Sequence, residues 1–187
     1  MRLFVALELP AAVRENLAAL LKALRAVSPQ TRWVRPENLH LTLKFMGEVP
    51  ETKLAAIRSA LASVHSDQPT TVDFRGLGFF PNEKRPRVLW AGIEASPNLK
   101  TLAAEIDRAA EKLGIPREQR PFAPHLTLAR FEPPELPEKL RSAIQENAAR
   151  EFGSFRTNQY LLIESKLKPS GAGYTTLESF PFAAAEA

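Results

Sequence analysis

The spacing of apolar residues divides the first half of the chain into six predicted elements. Every second residue from Leu3 to Leu9 is a branched aliphatic residue, which is typical of a strand. After Pro10 the apolar residues recur at helical spacing instead. The predicted elements are, in order, a strand over 3–9, a helix after Pro10, a strand over 39–45, a helix after Pro50, and strands over 71–79 and 87–93.

The second half of the chain repeats much of this order. It contains a predicted helix over 98–113, a proline-rich approach over 120–124, a strand over 125–130, a helix over 135–147, and strands over 158–166 and 174–180. The tetrapeptide His-Leu-Thr-Leu occurs in both halves, beginning at His40 and at His125. We interpret residues 1–187 as one domain built from a duplicated unit of about 1–85 and 86–187. Two copies predict two lobes that face each other across a cleft, where ligands usually bind.

Composition excludes several classes of protein. The 187 residues contain no cysteine, which rules out disulfides, thiolate nucleophiles and the commonest structural zinc sites. No apolar run approaches the roughly 20 residues of a membrane span, and Glu8 interrupts the N-terminal strand pattern in a way that a signal peptide would not. We therefore expect a soluble, cytoplasmic protein. The net charge of +4 is compatible with a polyanionic partner but common in ordinary proteins.

The candidate chemistry lies in the two tetrapeptides, which contain two of the three histidines. Residues two apart on a strand share a face, so His40 projects with Thr42 and His125 with Thr127. One neutral and one protonated imidazole suit acid–base catalysis near neutral pH, and hydroxyls can hold phosphate oxygens. A single strand histidine is more often structural, but the duplicate favours a catalytic pair. A metal site is disfavoured because no Cys, Asp or Glu lies at ligand spacing from either histidine.

A specific resemblance surrounds these motifs. Residues 32–47, Arg-Trp-Val-Arg-Pro-Glu-Asn-Leu-His-Leu-Thr-Leu-Lys-Phe-Met-Gly, and residues 121–130, Pro-Phe-Ala-Pro-His-Leu-Thr-Leu-Ala-Arg, resemble the motifs of RNA 2′,3′-cyclic phosphodiesterases. These are also called 2′-5′ RNA ligases and belong to the 2H phosphoesterase superfamily, whose signature is the HXTX motif. The resemblance extends over essentially the whole chain.

The resemblance implies an α+β fold with two pseudo-symmetric lobes, each an antiparallel sheet with helices packed outside, and an active-site cleft between the sheets. It implies hydrolysis of RNA 2′,3′-cyclic phosphate ends to 2′-phosphates without a metal or cofactor. His40 would donate a proton to the leaving 3′ oxygen and His125 would activate water. The near symmetry of the motifs leaves these two roles open to exchange.

Four further residues are candidates for substrate binding. Lys44 lies two residues after Thr42, so on a regular strand it shares the His40 face and could contact a phosphate. The alternative is that its side chain is simply exposed to solvent. Arg130 lies on the opposite face from His125 unless a bend redirects it. Phe45 and Phe80 could stack a base, although aromatic residues more often belong to the core. The loop Lys84-Arg85-Pro86-Arg87 could steer RNA or simply be solvated.

Three functions stay open at this point. The leading hypothesis is hydrolysis of cyclic phosphates at RNA ends, with 2′-5′ joining as the reverse reaction. The second is the same chemistry on a small nucleotide cyclic phosphate. The third is a non-catalytic RNA-binding module, which would not need two matched titratable groups. We expect a monomer in each case.

Overall fold

A computed structural model describes residues 1–183 of the chain. Four α-helices and nine β-strands follow one another along this part, with short 3-10 turns at Pro36–Asn38 and Glu51–Lys53. In chain order they are β1 (Arg2–Glu8), α1 (Ala11–Val27), β2 (Arg32–Trp33), β3 (His40–Glu48), α2 (Leu54–Ala62), β4 (Thr70–Phe80), β5 (Val88–Ala95), α3 (Asn98–Glu111), β6 (His125–Arg130), α4 (Glu138–Glu146), β7 (Glu151–Thr157), β8 (Gln159–Lys168) and β9 (Gly171–Pro181).

The strands form two antiparallel sheets. Sheet A has the order β3-β1-β8-β9, and sheet B has the order β2-β6-β5-β4-β7. Every strand pairing within them is antiparallel. Each sheet takes strands from both halves of the sequence, since β1 pairs with the late strand β8 in sheet A, and β4 pairs with β5 and β7 in sheet B.

The helices also cross between the halves. Helix α1 follows β1 of sheet A but packs against β7 of sheet B and against α4, whereas α3 follows β5 of sheet B but packs against β3 of sheet A and against α2. The apolar faces of the helices pack with one face of each sheet in a common core, which includes Leu17, Ile106, Leu41 and Leu126. The opposite faces of the two sheets are thereby left to line a cleft.

The fold class predicted from the sequence is confirmed: the structure is α+β, with two antiparallel sheets and helices on their outer faces. Two strands had no clear apolar signal and were not predicted, namely the two-residue β2 and the strand β7. Within residues 1–183, no helix combines the length and the apolar character needed to cross a membrane.

Candidate active site

Both histidine–threonine pairs line one cavity of about 990 Å³ between the sheets. His40 and Thr42 come from the start of β3, and His125 and Thr127 come from the start of β6. The leucines between and after them are buried, with Leu41 and Leu126 exposed by 1% or less. The alternation of each tetrapeptide thus anchors the strand in the core while it turns an imidazole and a hydroxyl toward the cavity.

The two imidazoles are held in the same way. Nδ1 of His40 lies 3.3 Å from the carbonyl oxygen of Asn38, and Nδ1 of His125 lies 2.9 Å from the carbonyl oxygen of Ala123. A carbonyl can only accept, so Nδ1 carries the hydrogen in both rings and Nε2 is left for a ligand. Each ring is therefore fixed in one tautomer by the backbone two residues before it.

His40 lies in the more enclosed environment of the two. Its ring packs at 5.7 Å from the ring of Tyr174 and at 6.3 Å from that of Phe4. Burial lowers the pKa of His40 below its ordinary value of 6.5; the bond to the Asn38 carbonyl and the charge of Glu8 oppose this, and the charge of Arg14 adds to it. The free protein therefore favours the neutral form of this imidazole.

A β-bulge interrupts each motif strand at its second leucine. Val5 and Ala6 of β1 pair with Lys44 and Thr42, so Leu43 has no partner residue. In sheet B, Leu89 and Trp90 pair with Ala129 and Thr127, and Leu128 is left over in the same way. An extra residue reverses the facing of every later side chain on a strand.

The bulge in β3 makes the prediction for Lys44 wrong. Lys44 does not share the His40 face but points away from the cavity, with 2% of its surface exposed. Its ammonium group donates to the carbonyl of Pro116 at 2.7 Å and pairs with Asp107 at 2.7 Å and Glu118 at 3.4 Å. Phe45 takes the place on the cavity face that a regular strand would have given to Lys44.

The bulge in β6 provides the bend that Arg130 required. Arg130 lines the cavity with His125 and Thr127, and it lies in register with Arg32 of β2, which also lines the cavity. Arg130 and Phe45 each follow their histidine by five residues, so they hold matching places in the two lobes. The side chain at this place is cationic in Arg130 and aromatic in Phe45.

The two phenylalanines have similar arginine neighbours but different positions. The guanidinium of Arg2 lies 5.3 Å over the ring of Phe45, and both residues line the cavity. The guanidinium of Arg120 lies 5.3 Å over the ring of Phe80. Arg120 lines the cavity, whereas Phe80 is 48% exposed and lies outside the lining.

Several cavity residues were missed in the sequence. They include Arg2, Arg32, Tyr174, Lys100, Arg117 and Arg120. Arginines and lysines like these are ordinary surface residues in a sequence. Arg32 and Arg120 offered a signal, because Arg32 begins the motif region 32–47 and Arg120 lies in the proline-rich approach to His125. The basic loop 84–87 contributes nothing to the described lining of this cavity.

The third histidine, His65, lies away from this site. It lines a separate, smaller cavity with Asp67 and Glu105. Across residues 1–183, no group of three His, Asp or Glu side chains is placed to hold a metal ion.

Comparison with known proteins relates this site to a family. The sequence profile described as LigT-like phosphoesterase matches the chain twice, over residues 7–90 and 93–174. A relative from Archaeoglobus fulgidus, named RNA 2′,3′-cyclic phosphodiesterase, is 39% identical over 182 residues, covering 96% of this chain and 99% of that protein.

Solved structures agree with the sequence match. A crystal structure of a Thermus thermophilus protein has a TM-score of 0.76 at 37% identity and covers 97% of this chain and 98% of that one. Escherichia coli LigT in complex with 3′-AMP has a TM-score of 0.75 at 30% identity, covering 96% of this chain and 97% of that one. The expected kinship is confirmed, and the chain belongs to the LigT-like phosphoesterase family.

Proposed function

We propose that this protein hydrolyses 2′,3′-cyclic phosphate ends of RNA to 2′-phosphate ends, with His40 and His125 as its acid–base pair. The observation that carries the proposal is the matched pair of imidazoles on one cavity, each with Nδ1 held by a backbone carbonyl. Both rings line the same cavity with Nδ1 bonded to the backbone, which leaves Nε2 of each ring for the one proton taken and the one proton given. The name of the Archaeoglobus relative supports the substrate.

The reaction needs two proton transfers. One neutral imidazole takes a proton from water while the water oxygen attacks phosphorus. The bond from phosphorus to the 3′ oxygen breaks, and the protonated imidazole gives that oxygen its proton. The 2′ oxygen keeps its bond to phosphorus. Each turnover exchanges the protonation states of the two rings, and exchange with solvent restores them.

Five side chains are proposed to hold the substrate in this reaction. The hydroxyls of Thr42 and Thr127 lie on the histidine faces and can donate to the nonbridging phosphate oxygens. Arg130 adds a cation on one side of the cavity, and Phe45 with Arg2 adds a flat surface for a base on the other. Phe80 remains a candidate for substrate binding because its ring contacts the guanidinium of Arg120, which lines the cavity.

We assign His40 as the proton donor and His125 as the acceptor, as the resemblance implies. A proton donor must be protonated, and the lowered pKa of His40 in the free protein opposes this. The negative charge of a bound phosphodiester favours the protonated imidazolium form and so supports the assignment. A substrate with sulfur in place of the 3′ oxygen decides the matter, because a thiolate leaves without protonation. Rescue of His40→Ala by this substrate supports the assignment, and rescue of His125→Ala reverses it.

The test of the function itself is turnover of an RNA oligomer ending in a 2′,3′-cyclic phosphate, with EDTA present. We expect the wild-type protein to form a 2′-phosphate and both His40→Ala and His125→Ala to lose this activity. His65→Ala is the matched control, because the third histidine lines a different cavity, and it should keep full activity. Full activity in either site variant, or none in the wild type, would instead favour the non-catalytic RNA-binding module.

The same assay separates the enzymatic alternatives. Escherichia coli LigT was crystallised with 3′-AMP, a mononucleotide, so a small nucleotide cyclic phosphate is the second candidate substrate. A higher kcat/KM for 2′,3′-cyclic AMP than for the oligomer would favour it. Incubation of 2′,3′-cyclic phosphate and 5′-hydroxyl ends at high concentration tests the reverse reaction, 2′-5′ joining.

We further propose that residues 1–187 form one domain that arose by duplication of a unit of about 1–85 and 86–187. Two observations support this: one family profile matches the chain twice, and the same bulge follows both histidines. A monomer in the cytoplasm, acting without a cofactor, remains our prediction.

A further inference from the structure

Lys44 forms a buried polar cluster behind the active site. Its three ammonium hydrogens face three acceptors: the Pro116 carbonyl, a carboxylate oxygen of Asp107 and one of Glu118. Asp107 in turn accepts the backbone N–H of Glu118, at 3.2 and 3.3 Å to its two oxygens. One lysine on β3 and one aspartate on α3 therefore fasten the backbone at residues 116–118.

The matching position in the other lobe shows that the fold does not itself demand a lysine. Ala129 follows the β6 bulge as Lys44 follows the β3 bulge, and it is fully buried among apolar residues. Burying an ammonium group is costly unless all its hydrogens are bonded. An apolar residue at position 44 would fill the core without the free-energy cost of burying a charge. Packing alone therefore does not explain the lysine.

The fastened segment forms one wall of the catalytic cleft. Every residue from Arg117 to Ala123 lines the cavity, including the cationic side chains of Arg117 and Arg120. The segment then leads into His125, whose Nδ1 is held by the carbonyl of Ala123. Helix α3 ends at Glu111 and β6 begins at His125, so no regular element stabilises this wall.

Charge supplies a second link between Lys44 and the wall. Asp107 and Glu118 both line the cavity, where they would repel a phosphodiester backbone. Lys44 pairs with both carboxylates from behind. The pairing leaves Arg120 and Lys100 as cavity cations, together with Arg117, whose guanidinium lies 3.8 Å from Asp107.

We propose that Lys44 is a positioning residue, which acts through Asp107 and Pro116 to hold segment 117–123 as the binding wall for the RNA strand beyond its terminal nucleotide. This inference rests on the proposed function and names the part of the substrate that the wall receives. An RNA oligomer reaches Arg117 and Arg120, whereas a mononucleotide occupies the histidine centre alone. Loss of the fastening therefore weakens oligomer binding selectively.

Two variants separate positioning from simple charge balance. Lys44→Met leaves Asp107 as a nearly buried charge without its main partner, so it loses both stability and fastening. The double variant Lys44→Met/Asp107→Leu removes both charges and restores the melting temperature, but segment 117–123 stays unfastened. Lys53→Met is the matched control, since Lys53 donates to the Leu113 carbonyl at 2.8 Å and has no part in the wall.

The measurement is KM and kcat for a cyclic-phosphate RNA oligomer and for 2′,3′-cyclic AMP. In the double variant we expect the oligomer KM to rise on the order of 10-fold, with little change in the mononucleotide KM. Lys53→Met should change neither value. An oligomer KM restored to the wild-type value in the double variant, or an equal rise for both substrates, overturns the inference.

Hydrogen exchange keeps this test separate from the test of function. The amide of Glu118, which donates to Asp107, should exchange faster in Lys44→Met than in the wild type, whether or not the wild type hydrolyses any cyclic phosphate. Unchanged exchange of this amide overturns the role of Lys44 even in a fully active enzyme. An inactive wild type with faster exchange in the variant would count against the proposed reaction alone.

Discussion

Gly78 of β4 offers a direct test of packing beside the active site. A Cβ atom at this position would overlap three ring atoms of Trp90, the farthest of them at 2.8 Å. Trp90 pairs in register with Gly78 on one side and with Thr127 on the other. The indole therefore lies across the glycine, and Gly78→Ala must displace it next to a proposed substrate-binding residue.

The expected loss of stability follows from two opposing effects. Overpacking of this kind costs roughly 1–3 kcal/mol, whereas replacing glycine by alanine within a strand gains roughly 0.5–1 kcal/mol. The midpoints of these two ranges leave a net loss of about 1 kcal/mol, which lowers the melting temperature of a chain of this size by roughly 2–4 °C. Displacement of Trp90 toward Thr127 should also lower kcat/KM about 10-fold.

Thermal unfolding by calorimetry and turnover of the cyclic-phosphate oligomer measure both effects. Gly173→Ala in β9 is the matched control for stability, because its Cβ would meet only the far end of the flexible Lys168 side chain. It should unfold at or above the wild-type temperature. A Gly78→Ala protein that melts and turns over like the wild type would refute the reasoning.

Three further predictions concern the site and the core. Because His40 has a lower pKa in the folded than in the unfolded state, the unfolded state binds more protons below pH 6.5. The melting temperature should therefore fall as pH drops below 6.5, and less so in His40→Gln. Replacing Thr42 or Thr127 by valine removes one hydroxyl donor without changing shape, and each change should lower kcat by about 100-fold. Tyr160→Phe removes a buried hydroxyl that donates to the Leu61 carbonyl, and urea unfolding should report a loss of about 1–3 kcal/mol.

The pairing of the two histidines was predictable because strand alternation is a local property. Within each tetrapeptide, side chains two residues apart share a face, and the structure keeps that relation for His40 with Thr42 and for His125 with Thr127. The strongly periodic helices were predictable for the same reason. Only the approximate positions of their ends differed, as with α4, which begins at Glu138.

The positions just beyond the tetrapeptides were not predictable, because a bulge depends on the partner strand. Nothing in the residues near Leu43 or Leu128 announces that one residue will lack a partner. A regular alternation of faces continued past the bulge therefore predicts Lys44 in the cavity and Arg130 outside it, and the structure has the reverse arrangement. The cationic residues of the wall were missed for a related reason, since only tertiary contacts bring Arg117 and Arg120 to the site.

The pairing of β1 with β8 has a consequence for how the protein is made. During synthesis β1 emerges long before its partner strand at Gln159–Lys168. Closing so long a loop is slow, and β1 waits with one edge unpaired until β8 has been made. A nascent or truncated chain that lacks β8 and β9 can contain both tetrapeptides, but its sheet A retains only β1 and β3. Catalytic competence should thus appear only once β8 and β9 are present, and chains that lack them should be prone to aggregate.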